Sequence, residues 1–162
     1  MNEFLQIRQA VMDALQNAGL TVLPSFPDRM AGRPCAPVVS VGVGALEGKC
    51  LGFCDYLGES TADDGRVLER YGKRLDGLIS VDVRAERATD CDRAAELTGD
   101  VLLSGLPSGI RPGELRWEGL AWDKNAGAFL RKGSLACSAL FVAESSGDEN
   151  LFLDFILKGV LS

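Results

Sequence analysis

Apolar residues return along this chain at two different periods, and the changes between them mark out its elements. Over residues 2 to 18, Phe4, Ile7, Val11, Ala14, Leu15 and Ala18 recur at three- and four-residue spacing, which lines one face of an α-helix. Gly19 stands where a left-handed C-cap belongs. From Leu75 to Ala85 the period is two. Leu75, Gly77, Ile79, Val81, Val83 and Ala85 alternate with Asp76, Leu78, Ser80, Asp82 and Arg84, which predicts a strand with one face on a core. A second helix, roughly 91 to 104, is expected next, with Thr89 or Asp90 as N-cap and Gly105 at its end. Its stripe is Ala94, Leu97, Thr98, Val101 and Leu102, and Asp92, Glu96 and Asp100 occupy the opposite face.

The segments between these anchors read less strictly. Prolines at 24, 27, 34 and 37 make the stretch from Pro24 to Pro37 a surface loop, since proline neither donates to a ladder nor continues a helix. Val38 to Val43 is rich in β-branched residues and predicts a strand. A Gly-rich turn around Gly44 and Gly48 would join it to a second strand, Cys50 to Leu57, as a hairpin. Residues 58–74 are polar, with Asp63, Asp64 and Gly65 at a turn, and read as a long projecting loop or the tip of a longer hairpin. After a Gly/Pro loop, Leu106 to Gly113, three antiparallel strands are expected at Glu114–Trp122, Phe129–Glu144 and Asn150–Leu157, although Leu151, Phe152, Phe155 and Ile156 would also satisfy a helical stripe. The sum is one α+β domain over residues 1–162, a mostly antiparallel sheet with two flanking helices and a C-terminal β-hairpin.

Composition narrows the classes of function. With 162 residues, 46% apolar and 25% charged, the chain is long enough to bury a core without staples. No apolar run approaches the roughly 18 to 20 residues that span a bilayer, and Asn2 and Glu3 stand where a signal peptide would be basic. We therefore expect no membrane partner. Five cysteines, Cys35, Cys50, Cys54, Cys91 and Cys137, are an odd number and are expected to be reduced thiols in a cytosol. A net charge of −6 opposes binding to nucleic acid, which depends on neutralising phosphates.

Candidate chemistry is sparse. The sequence has no histidine, which removes the commonest general base and the Ser-His-Asp and Cys-His arrangements. Cys50 and Cys54 would lie about 13 Å apart on a strand, too far to share a metal or a disulfide. The run Gly42–Gly48 resembles a dinucleotide fingerprint only superficially, because Glu47 holds the place of the third glycine. Asp82 and Arg84 project together from their strand and form either a catalytic acid–base pair or an exposed ion pair. By parity Trp117 and Trp122 fall on opposite faces, one in the core and one at an interface. No cofactor, metal or catalytic residue is expected.

The order of helix, Pro-rich connector, strand, hairpin, polar loop, strand, helix and strands resembles small bacteriophage tail and neck proteins, especially the tail-terminator group. The resemblance is carried by the amphipathic N-terminal helix leading to Pro37-Val38-Val39-Ser40-Val41, and by the stretch Tyr71 to Ala85 followed at once by the second helix. It covers roughly residues 2 to 122, and the long 58–74 segment and the hairpin Ser134–Leu157 are additions to the pattern. The resemblance implies a sheet flanked by two helices, subunits closed into rings, commonly hexamers, and contacts with the tail tube and head connector. It brings no catalytic residues. It also implies a life in the bacterial cytoplasm and then in a phage-like particle. On this reading the contact residues are Asp63, Asp64, Arg66 and Arg70 in the polar segment, with Glu69, Lys73 and Arg74 beside them, and Asp92, Glu96 and Asp100 on the second helix. The readings from other classes are a small enzyme using carboxylates and a stand-alone module that presents the acidic helix to a basic partner.

Overall fold

The computed structural model describes residues 3–26, 36–51, 55–145 and 154–160. The elements are α1 (Glu3–Asn17), β1 (Thr21–Leu23), β2 (Val38–Cys50), β3 (Tyr56–Thr61), β4 (Val67–Ala85), α2 (Ala88–Ser104), β5 (Ile110–Trp117), β6 (Ala121–Asp123), β7 (Ala128–Ser145) and β8 (Ile156–Leu157). The fold is α+β, with both helices packed on one eight-stranded, mostly antiparallel sheet. Its order is β1-β2-β4-β7-β5, with β3 pairing β4 and with β6 and β8 pairing β7. The C-terminal hairpin is β7–β8, which sets Phe141 opposite Leu157.

The strict alternation along β4 does what it predicts. Ile79, Val81, Val83 and Ala85 are buried on the helix side, opposite Val43, Val41 and Val39 of β2 and Leu135 and Gly133 of β7. Ile7, Val11 and Leu15 of α1 and Leu102 of α2 close this layer from above with no solvent exposure. Each such side chain contributes about 1.5–3 kcal/mol relative to an exposed one. α1 ends as Gly19 predicts: its φ is +91°, its N–H bonds the Gln16 carbonyl, and Leu20 N–H reaches back to Leu15.

The helix faces are rotated from the expected stripes. Of the expected α1 stripe, Phe4 is exposed and Ala18 falls beyond the helix end, while Ala10 and Met12 are buried. In α2, Leu97 is exposed and the small residues Cys91, Ala95 and Gly99 are buried with Ala94, Thr98 and Leu102, because the helix lies close to the sheet. The N-cap is Arg87, without a side-chain cap bond, rather than Thr89 or Asp90. Asp90 instead pairs with Arg87 at 3.1 Å, in the first turn, where the helix dipole favours an acid.

Three strand assignments change, and a fourth is decided between its alternatives. There is no turn at Gly44–Gly48: β2 continues to Cys50, and a register shift between Val43 and Leu46 accommodates the extra residue against β4. Gly77 is required there, since a Cβ on it would collide with Leu46 and the Ala45 carbonyl. Of the two readings of residues 58–74, the long loop is not found and the tip of a longer hairpin is: β3 and the first part of β4 are joined by a turn at 62–66, where Gly65 has φ +83°. β3 pairs β4 along the edge that β2 uses farther on, so β2 and β3 do not form a hairpin with each other. The expected strand Glu114–Trp122 is split into β5 and β6. The break at 118–120 places Trp117 opposite Gly133 and Trp122 opposite Phe129, so both tryptophans share the helix side of the sheet, contrary to their parity.

The three-residue β1, parallel to Val38–Ser40, gave too short a signal to be read next to Pro24. Of the expected last strand only Ile156–Leu157 is formed among the described residues, and 150–153 lie outside them. Pro27, Pro34, Cys35 and Cys54 also lie outside. No helix among the described residues is long and apolar enough to cross a membrane.

Candidate functional site

The charged residues singled out from sequence fall into two groups at opposite ends of β4. Val67 and Val83, which mark those ends, are on the order of 50 Å apart along the strand at about 3.3 Å per residue.

The first group rides on the β3–β4 arm. Asp63, Asp64 and Arg66 occupy its turn, where Asp64 accepts from the Arg66 backbone N–H at 3.1 Å and from its Nε at 2.6 Å. Arg70 stands farther down the arm and faces Glu144 of β7 at 3.7 Å. These pairs are half exposed, the regime in which an ion pair contributes about 0–1 kcal/mol, so the charges keep the arm soluble rather than fold it. Tyr56 and Tyr71 meet edge to face at 5.7 Å, and the Tyr71 hydroxyl donates to Glu69 at 2.7 Å, which raises its pKa above the usual tyrosine value. Neither helix packs substantially on β3. Tyr56, Leu57 and Val67 remain 39%, 46% and 55% exposed. At the arm's base Lys73 is bonded to Glu3 of α1, which lowers the Glu3 carboxyl pKa, and its ammonium lies 4.4 Å from the Phe155 ring.

The second group lies on α2. Asp92 is bound by Arg131 of β7 through Nε at 3.1 Å and Nη2 at 2.8 Å, while Arg131 Nη1 donates to the Glu118 carbonyl at 3.1 Å. Asp92 and Glu96 then line a cleft of about 330 Å³ with Ala95, Trp117 and Arg131. Asp100 is exposed on the same helix and does not line it. The indole of Trp117 is seated by glycines. A Cβ at Gly133 would come within 2.6 Å of the ring, and one at Gly99 within 3.7 Å of its Nε1.

Arg131 was not legible as part of this site, although one signal exists: it is a charged residue on the inward parity of β7, shared with Phe129 and Leu135. Such a residue calls for an acid on the covering helix.

Asp82 and Arg84 face the side of the sheet that carries no helix, but they are not an ion pair. Arg84 turns to Asp123 at 2.9 Å, with both side chains largely buried, lies 4.1 Å from the Phe26 ring, and donates to Ser40 at 3.4 Å. Asp82 lies beside it in a recess of about 290 Å³ lined by Phe26, Ser40 and Ser80 among others. Burial raises the Asp82 pKa, and the nearby Arg84 and Lys132 only partly oppose this. Among the described residues no three Cys, Asp or Glu side chains gather into a metal-binding group. Compared with protein-family models and with curated protein sequences, the chain matches none.

Proposed function

We propose that this chain is a structural subunit of a phage or prophage tail, of the tail-terminator or neck kind, that closes into a ring with copies of itself and meets other tail proteins. The observation that carries the reading is the β3–β4 arm. Among the described residues its outer strand, β3, pairs only with β4, and exposed large apolar residues on such an edge mark a surface that a partner covers. Tyr56, Leu57 and Val67 are such residues, on an element whose acidic and basic residues balance over residues 58–74 and keep a free subunit soluble.

The strand edges favour the arm over open-ended edge pairing as the contact element. β2, β3 and β5 each carry a register shift, and β5 also carries Pro112; both devices restrict the addition of further strands. Two dissimilar surfaces at opposite ends of β4 suit head-to-tail contacts, which close into a ring when the rotation permits. On this reading the protein has no catalytic role and no cofactor, and it works in the bacterial cytoplasm before entering a particle. Electron microscopy of the purified full chain tests the proposal. Rings of uniform size are expected, and a monomer at every concentration, alone and with tail-tube protein, would contradict it.

A further inference from the structure

We propose that the cleft between α2 and β7 binds a basic side chain, arginine or lysine, presented by a partner protein, an activity separate from ring closure. Three features of the cleft point to a cation. Arg131 is held by Asp92 and by the Glu118 carbonyl, so its charge is answered within the cleft wall. Glu96 is then the surplus charge: its carboxylate has no hydrogen-bond or ion-pair partner among the described residues. Trp117 supplies an indole face, the best of the aromatic surfaces for attracting a cation, and its indole N–H also lacks a protein acceptor among the described residues.

A basic residue in an extended segment satisfies all three, with its cation between Glu96 and the indole and a backbone carbonyl accepting from the indole N–H. The volume, about 330 Å³, is at the lower limit for ligand pockets and fits one side chain better than a larger molecule. Trp117 is fixed for this role, because Gly133 lets the ring lie against backbone, where a side chain would displace it. Exposed Asp100, one turn on from Glu96, and the net charge of −6 would steer a basic segment toward this end of the molecule and repel nucleic acid.

The test follows the two indole N–H signals of the intact chain by NMR, the Trp117 signal being the one retained in Trp122→Phe. The probe is N-acetyl-arginine amide, a one-residue stand-in for a basic segment, with N-acetyl-citrulline amide as its neutral isostere. A saturable shift of the Trp117 signal with the arginine compound is expected, with a much smaller response to citrulline. In Glu96→Gln, a surface change, binding should weaken about fivefold or more. Equal response to citrulline, undiminished binding in Glu96→Gln, or no saturable shift would overturn the proposal. So would movement of the Trp117 signal with protein concentration alone, which would assign the cleft to a second copy of this chain.

Discussion

Ile79 and Val81 have no solvent exposure, and their neighbours across both adjoining strands are apolar, so a charge at either position would be buried without a partner. Val81→Asp or Ile79→Asp should therefore lose about 3–5 kcal/mol in chemical denaturation. A loss within about 0.5 kcal/mol, the range of surface changes, would contradict the packing described. Asp82, on the other face of the same strand, gives a pH signature. Burial holds its folded pKa above the unfolded value of about 4, so its contribution is favourable below that value and is lost as pH rises through the folded pKa. Asp82→Asn should thus be more stable than the parent at pH 7, and the difference should shrink as pH falls through the folded pKa and level off below about pH 4. Glu3 has the opposite sign. Its bond to Lys73 lowers the folded pKa, so that stabilisation is present at neutral pH and fades as pH falls. Thiol reactivity follows burial in the same way. Burial pushes Cys137 up to about 11 and also raises Cys91, whereas Cys50 is exposed. In native protein, mass mapping after brief alkylation should find Cys50 labelled and Cys91 and Cys137 protected until the chain unfolds.

Elements were legible in the sequence where burial of one face imposes a period. α1, the core half of β4 and β7 show this, and with them the α+β class could be read. The misread elements lack such a period for physical reasons. On the arm both faces of β3 and of the first residues of β4 meet water, so apolar alternation is absent and the segment resembles a loop. Glycine marks turns and bulges alike, and only the close approach of Gly77 on another strand reveals Gly44 and Ala45 as a bulge. The acidic face of α2 could be read from its spacing, but Arg131 and Trp117 reach Asp92 and Glu96 only through long-range packing. The same dependence on distant partners governs β8. Gln6 of α1 donates to the Phe155 carbonyl at 2.9 Å and accepts from Leu157 N–H at 2.9 Å, so one side chain completes the backbone bonding of the C-terminal strand. Gln6→Ala should leave global stability lower by about 1–2 kcal/mol. Hydrogen exchange should report faster exchange at the Leu157 amide specifically, and an unchanged rate there would show that β8 does not need α1.

At the scale of the whole molecule, the core and the proposed contact element are separable. The helices pack on β1, β2, β4, β5, β7 and β8, while the arm's turn and outer strand lie beyond that layer. Loop and hairpin-tip replacements change stability little when no core contact is removed. The arm can therefore be shortened to ask what it does without asking the fold to survive a lesion in its centre. The most direct measurement is sedimentation of the full chain against a variant in which residues 60–68 are replaced by a short Gly/Ser turn, with thermal unfolding of both as the control for folding. The account predicts nearly equal thermal transitions, a closed oligomer for the parent and a loss of that oligomer in the variant. The same oligomer in both proteins would contradict it.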